Sequence, residues 1–172
     1  PTAALITDVG NDLLYGSSVQ QIIDWVGICL ERLADAKASC VLTGLPVNSL
    51  RKLGAWRYRF FRTVLFPKCR LDLPTIQQRA WDLNEGIIRL ADESGVHVAL
   101  PDATWYGLDP IHIRSQKMAL AWRELMAPWN KMPEAALSQK SAGDWLYLRR
   151  LRPLERKWLG FRQSQGQPAG RL

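Results

Sequence analysis

Residues 3–45 run apolar, then amphipathic, then apolar again, and this alternation limits the fold more than any other feature of the chain. Ala3-Ala4-Leu5-Ile6-Thr7 is short and almost wholly apolar, the pattern of a strand in a buried parallel sheet, and the strand reading extends to Val9. From Val19 to Ala36 the residues Ile22, Ile23, Val26, Ile28, Leu30 and Leu33 recur at helical spacing, with Asp24, Glu31, Arg32 and Asp35 between them. Ser17 and Ser18 stand before this stretch as N-cap candidates. Ser39 to Leu45 reads as a second strand, broken off by Gly44 and Pro46. Strand, helix and strand over this length make a βαβ unit and place the chain in the α/β class.

The same rhythm returns once more. Pro74 and Thr75 open a helix to about Ser94, with Ile76, Trp81, Leu83, Ile87, Ile88 and Leu90 on its apolar side and Gly95 at its C′ position. Val96 to Leu100 reads as a third strand, and a helix is expected from about Ile113 to Met126, stopped by Pro128 and Pro133. Between the second strand and this repeat, residues 47–72 interleave Arg51, Lys52, Arg57, Arg59, Arg62, Lys68 and Arg70 with Trp56, Tyr58, Phe60, Phe61 and Phe66. A short helix and a loop are expected there. Beyond Lys131 the rhythm stops. An amphipathic helix over 144–160, interrupted by Pro153, and a disordered tail over 163–172 are the readings for the remainder.

Composition closes off other classes. With 172 residues, 47% hydrophobic and 23% charged, the chain can bury one real core. No apolar stretch reaches the length of a membrane-spanning helix, and no signal peptide is evident. Three cysteines, Cys29, Cys40 and Cys69, are an odd number with no metal-ligand spacing; they read as buried free thiols, which points to a reducing, cytoplasmic setting. The net charge of +7 is concentrated at one end: residues 145–172 contribute +6 of it.

Two polar phrases follow the first and third strands, Asp8-Val9-Gly10-Asn11-Asp12 and Asp109-Pro110-Ile111-His112, and each is expected to open a helix. In an open parallel sheet the residues just beyond the strands' C-terminal ends converge on one crevice. An amide such as that of Asn11, fixed there, can donate to an oxyanion formed at a carbonyl, typically stabilising it by about 3–4 kcal/mol. His112 is one of two histidines and stands outside any strand, whereas His97 within Val96-His97-Val98 reads as a structural strand residue. Asp109 lies three residues before His112, where a single turn brings a carboxylate to the imidazole Nδ1–H and so fixes its tautomer. Simpler roles compete. Asn11 and Asp12 could cap a helix or shape a loop, and Asp109 could be an N-cap with His112 merely exposed. Tyr15, Trp105 and Tyr106 lie beside the two phrases and would either line a pocket or pack as ordinary aromatics. Ser17, Ser18 and Ser49 follow strands, but none has a nucleophile-elbow context.

These phrases resemble two blocks of the SGNH (GDSL-type) hydrolases. The stretch from Leu5 to Leu14 is similar to the block in which a strand runs into Gly-x-Asn-Asp, and Asp109-Pro110-Ile111-His112 to the closing Asp-x-x-His. The similarity spans about residues 3–126. It implies a three-layer α/β/α fold with a flavodoxin-like parallel sheet of order 2-1-3-4-5. The three strands would be its third, fourth and fifth, and the N-terminal strands would be missing. It divides the chain into the C-terminal part of such a domain (1–130), a basic helical extension (131–162) and the tail (163–172). It also implies ester hydrolysis by a Ser-His-Asp mechanism, with His112 as base, Asp109 orienting it and Asn11 in the oxyanion hole. The substrate would be a small ester and no metal or organic cofactor would be needed.

The chain departs from the family pattern in lacking the Gly-Asp-Ser block and the block with the second oxyanion-hole glycine, and in having Val9 where Gly-x-Asn-Asp begins, with Gly10 beside it. The missing serine is expected either to lie outside this chain, before Pro1, or to have been lost in an inactive homologue. In the first case the edge of residues 3–7 would be bare, and edge-to-edge association or poor solubility is expected. Two other functions fit the residues: a carbohydrate deacetylase built from the same parts, and a non-catalytic α/β module whose tail, with Arg149-Arg150-Leu151-Arg152 and Arg156-Lys157-Trp158, binds nucleic acid or an anionic membrane. A solvated basic helix is the plainer reading of that tail, and no recognisable nucleic-acid module accompanies it.

Overall fold

The computed structural model describes residues 2–129, 146, 155–158 and 161–164. The chain divides into two compact units, Pro1–Pro133 and Glu134–Leu172. The first holds a three-stranded sheet, β1 (Ala3–Ile6), β2 (Ser39–Thr43) and β3 (His97–Ala99), in the order β1-β2-β3. All its pairings are parallel: Ala4 lies opposite Cys40 and Leu5 opposite Val41 on one side of β2, and Leu42 lies opposite Val98 on the other. The architecture is thus mixed α/β on a parallel sheet.

The crossover helices follow their sequence patterns closely. A short α1 (Asn11–Leu14) leaves β1, and α2 (Val19–Asp35) carries the chain back. Ser18 caps α2 through a reciprocal capping box with Gln21. After β2 come α3 (Val47–Arg51), α4 (Ala55–Leu65) and the long α5 (Leu73–Glu93). The Asp72 side chain caps α5 by accepting from the Thr75 N–H at 3.0 Å, and hydrogen bonding from the Thr75 side chain first and its N–H second holds the carboxyl below the usual range. Gly95, at φ 64°, closes α5 with Val96 N–H donating to Ala91 C=O and Gly95 N–H to Asp92 C=O, the bond pattern of a Schellman motif. The core forms where α2 and α5 meet the sheet. Leu42, Leu83, Ile87, Ile22, Val26 and Leu30 are fully or almost fully buried, each contributing roughly 1.5–3 kcal/mol by transfer from water. Gly86 lets α5 approach α2, since a Cβ there would stand 2.3 Å from Ile23 Cδ1.

Several expectations need correction. Strand β1 ends at Ile6, and Asp8 takes the left-handed conformation (φ 62°) that turns the chain. The helix expected from Ile113 begins only at Met118, as α6 (Met118–Met126). Residues 113–117 are held instead by contacts with a distant loop: Arg114 N–H donates to Trp105 C=O at 2.8 Å and its guanidinium to Thr104 C=O at 2.6 Å. Residues 47–72 contain two helices rather than one. Of the thiols expected to be buried, Cys69 is, Cys40 is half-buried and Cys29 is exposed on α2.

In the second unit, the helix expected over 144–160 is replaced at 155–158 by β4 (Glu155–Trp158), paired antiparallel with β5 (Phe161–Ser164). Trp158 lies opposite Phe161. Two residues ending in Gly160 separate these aromatics, a hairpin spacing that outweighs the helical pattern. The tail expected to be disordered falls outside the described residues except for Gln163 and Ser164, which belong to β5. Arg149-Arg150-Leu151-Arg152 also lies outside them. Among the described residues no helix is long and apolar enough to cross a membrane.

Candidate functional site

Parallel strands aim the residues after their C-terminal ends into one place, and here that place is a cleft of about 320 Å³. It is lined by residues directly following each strand: Thr7 to Asn11 after β1, Gly44 to Pro46 after β2, and Pro101, Trp105 and Tyr106 after β3. Ile111, His112 and Ile113 complete the rim, and Met118, Trp122 and Leu125 of α6 add a wall. Asn11 and His112, 101 positions apart in sequence, therefore line the same cavity.

The junction after β1 is tight and local. Asp8 at positive φ reverses the chain, and its carbonyl accepts from the Asn11 N–H at 3.2 Å. Gly10, which lines the cleft, stands where a Cβ would approach Leu45 Cδ2 to 3.1 Å. It is the N-cap of α1, and no side chain caps that helix. Asn11 is thus the first helical residue and not the cap, so capping does not engage its amide. The close approach of Gly10 to Leu45, just beyond β2, brings Asn11 to the cleft lining.

The second junction holds an acid–base pair. Asp109 Oδ2 accepts from His112 Nδ1 at 2.6 Å. Its other oxygen, Oδ1, accepts from the backbone N–H groups of Ile111 (3.0 Å) and His112 (3.2 Å). One carboxylate oxygen therefore fixes the turn and the other the imidazole. Nδ1 is engaged by Asp109, and the His112 side chain is 65% exposed. Asp109 itself does not line the cleft; it acts on the ring from behind.

Arginines outside the two phrases hold this second loop. The Arg57 guanidinium, on α4, donates to the carbonyls of Gly107 (3.1 Å) and Leu108. Its Nε is buried and has no hydrogen-bond partner among the described residues. The sequence places Arg57 only within a basic stretch; nothing there signals a partner fifty residues away.

The aromatic candidates divide. Trp105 is 2% exposed, packs with Ala121 and Leu125 and lines the cleft with part of its surface. Tyr106 lines the cleft, and burial together with the Asp8 carboxylate pushes its phenol up to about 12. Tyr15 does not line the cleft: it lies 73% exposed with its ring edge against Phe66, 5.3 Å away. His97 sits in β3, exposed, in register with Val41. Ser17, Ser18 and Ser49 are absent from the cleft lining, and Ser18 is committed to the α2 cap. Thr7, Asp8, Val9, Thr43 and Gly44 complete the polar and backbone lining. Their position was readable from the strand ends, although no motif marks Thr43 or Gly44. No family model matches the chain, and no curated protein matches it.

Proposed function

We propose that residues 1–130 are the amide and acid–base portion of an ester hydrolase of the SGNH type, in a flavodoxin-like three-layer α/β/α domain. A serine supplied by a segment outside residues 1–172 serves as the nucleophile. One observation supports this reading above the rest: Asn11 and a carboxylate-bound His112 line one cleft beyond the C-terminal ends of parallel strands.

In this reading the ester carbonyl sits between Asn11 and His112. His112 Nε2 takes the proton of the serine hydroxyl as the hydroxyl attacks, and later returns it to the leaving alcohol. Asp109 keeps the Nδ1 proton in place and stabilises the imidazolium that forms. The Asn11 amide donates to the oxyanion. The apolar walls, with Leu13, Leu45, Ile76 and Leu125, suit the hydrocarbon part of a small ester. A deacetylase would use the same groups on an acetylated sugar.

The test is to assay the full-length gene product that contains residues 1–172 on p-nitrophenyl acetate and butyrate, beside its His112→Ala and Asn11→Ala variants. Turnover that collapses in the first and falls in the second is the expected result. A His112→Ala enzyme running at the wild-type rate ends the proposal.

A further inference from the structure

Helix α4 presents an apolar ridge that the cleft does not use. Trp56, Phe60 and Val64 recur every four residues and so share one face. They are 79%, 52% and 61% exposed. Trp56 and Phe60 stack with centroids 6.2 Å apart and planes 11° from parallel. The opposite side of the helix is anchored by Tyr58, which is buried and donates to Leu71 C=O at 2.8 Å; Arg57, at the edge of the ridge, holds the loop at Gly107 and Leu108. The ridge therefore faces outward because the helix is fixed in that orientation. An exposed apolar surface of this kind on an ordered helix marks a docking face.

Charge identifies what docks. Between residues 37 and 71 there are eight Lys and Arg and no Asp or Glu. Arg59 on α4, and Arg51, Lys52, Lys68 and Arg70 within five residues of its ends, are exposed. The one ion pair among the described residues is Asp109–His112, so these five cations are not neutralised within the described fold. Exposed aromatic and aliphatic side chains within a stretch that carries cations and no acidic residue match an anionic bilayer surface, where rings settle at the headgroup level and cations meet lipid phosphates. Single-stranded nucleic acid fits less well. Its bases need open aromatic faces, whereas Trp56 and Phe60 stack on each other, and Val64 and Leu65 offer no stacking surface.

We propose that the α4 ridge, Trp56, Phe60 and Val64 with the basic side chains of the same stretch, docks this protein on anionic phospholipid membranes. The helix lies in the interface plane and does not cross it. The proposal is independent of the chemistry in the cleft.

The test is sedimentation of the full chain with vesicles of phosphatidylcholine alone and of phosphatidylcholine mixed with phosphatidylserine. The expected result is binding to the mixed vesicles, at least about tenfold weaker binding to the neutral ones, and binding that weakens as salt is raised. Trp56→Asp combined with Phe60→Asp should abolish binding with an unchanged circular dichroism spectrum, because both side chains are exposed. Arg59→Gln should weaken binding about fivefold. Failure of the full chain to bind mixed vesicles overturns the proposal. So does undiminished binding by the double variant, which would assign the attraction to basic residues elsewhere, such as 145–172. A double variant that instead turns a dimer into a monomer would identify a second copy as the occupant. Ridge-dependent binding of a single-stranded oligonucleotide in preference to vesicles would identify nucleic acid.

Discussion

The two junctions that meet in the cleft are built on opposite principles. The one after β1 is made by its own residues: Asp8 turns, Gly10 packs on Leu45, and Asn11 follows. The one after β3 has a local chemical pair, Asp109 and His112, inside a loop whose position depends on Arg57 from α4 and on the Arg114 contacts to Thr104 and Trp105. A group that must touch a fixed atom can be held by a strand end alone. A group that must keep its partner and also reach the cleft needs support from elsewhere in the fold. Changes after β1 should therefore act through one side chain at a time, and changes after β3 should also act through remote residues.

The largest expected effect tests the chemical pair. On the proposed hydrolase reading, His112→Ala should lower kcat by about 10⁶, Asp109→Ala by about 10⁴ and Asn11→Ala by about 10²–10³, with KM changed far less. Steady-state kinetics on p-nitrophenyl butyrate reads all three. An Asn11 effect as large as that of His112 would erase the distinction between an electrostatic donor and an acid–base group.

The remote support is tested next. Arg57→Ala removes both guanidinium contacts to the 107–108 carbonyls and touches nothing that reacts. A displacement of the loop by about 1 Å can cost on the order of 10² in rate. We expect a loss of up to that size, with restored geometry and rate if a lysine at position 57 reaches the same carbonyls. The His112 ring signals in an NMR spectrum should shift in Arg57→Ala although the two side chains do not touch. An unchanged rate and spectrum would mean that the second junction is as self-contained as the first.

These contrasts also explain what could be read in advance. The existence of the three strands, the long helices α2 and α5, the Ser18 cap and the Gly95 terminus all follow from patterns within a few residues, although the strands are shorter than expected, ending at Ile6, Thr43 and Ala99. Strand direction puts Asn11 on the cleft side of the sheet, whereas His112, thirteen residues beyond β3, reaches the cleft through a loop held by Arg57 and Arg114. The delayed start of α6 and the placement of the loop before it needed information from elsewhere in the sequence: Arg114 binds that loop ten residues back, and Arg57 anchors it from fifty residues away. Two further differences are local. Proximity in sequence suggests Tyr15 for the site, yet its ring lies exposed against Phe66 and outside the cleft lining. The β4–β5 hairpin was hidden because its basic residues also suit a helix.

Tyr106 measures how closely the two junctions face each other, since burial and then the Asp8 carboxylate raise its phenol to about 12. A folded-state value above the unfolded one, about 10, means that the neutral phenol favours the fold. Its stabilisation is complete below about pH 10 and is lost as pH rises toward about 12. Ultraviolet titration of tyrosinate should show a late step that Tyr106→Phe removes. Asp8→Asn should move that step down only slightly, because burial is the larger cause. A large shift would make the charge of the first junction the main determinant of the second.

The smallest effect isolates the strain of the first junction. A left-handed conformation costs a non-glycine residue roughly 1–2 kcal/mol, and Asp8 carries that cost at φ 62°. Asp8→Gly removes it but makes the unfolded chain freer, so a net gain of no more than about 1 kcal/mol is expected. Urea unfolding measures the gain, and the rate of the full-length enzyme gives the comparison. If stability rises while turnover stays the same, the turn serves only to place Asn11 and glycine serves equally well. If turnover falls, the Asp8 carboxylate at the cleft wall contributes to the site itself. The reversal after β1 would then carry charge as well as geometry, and the first junction would depend on its partner as the second does.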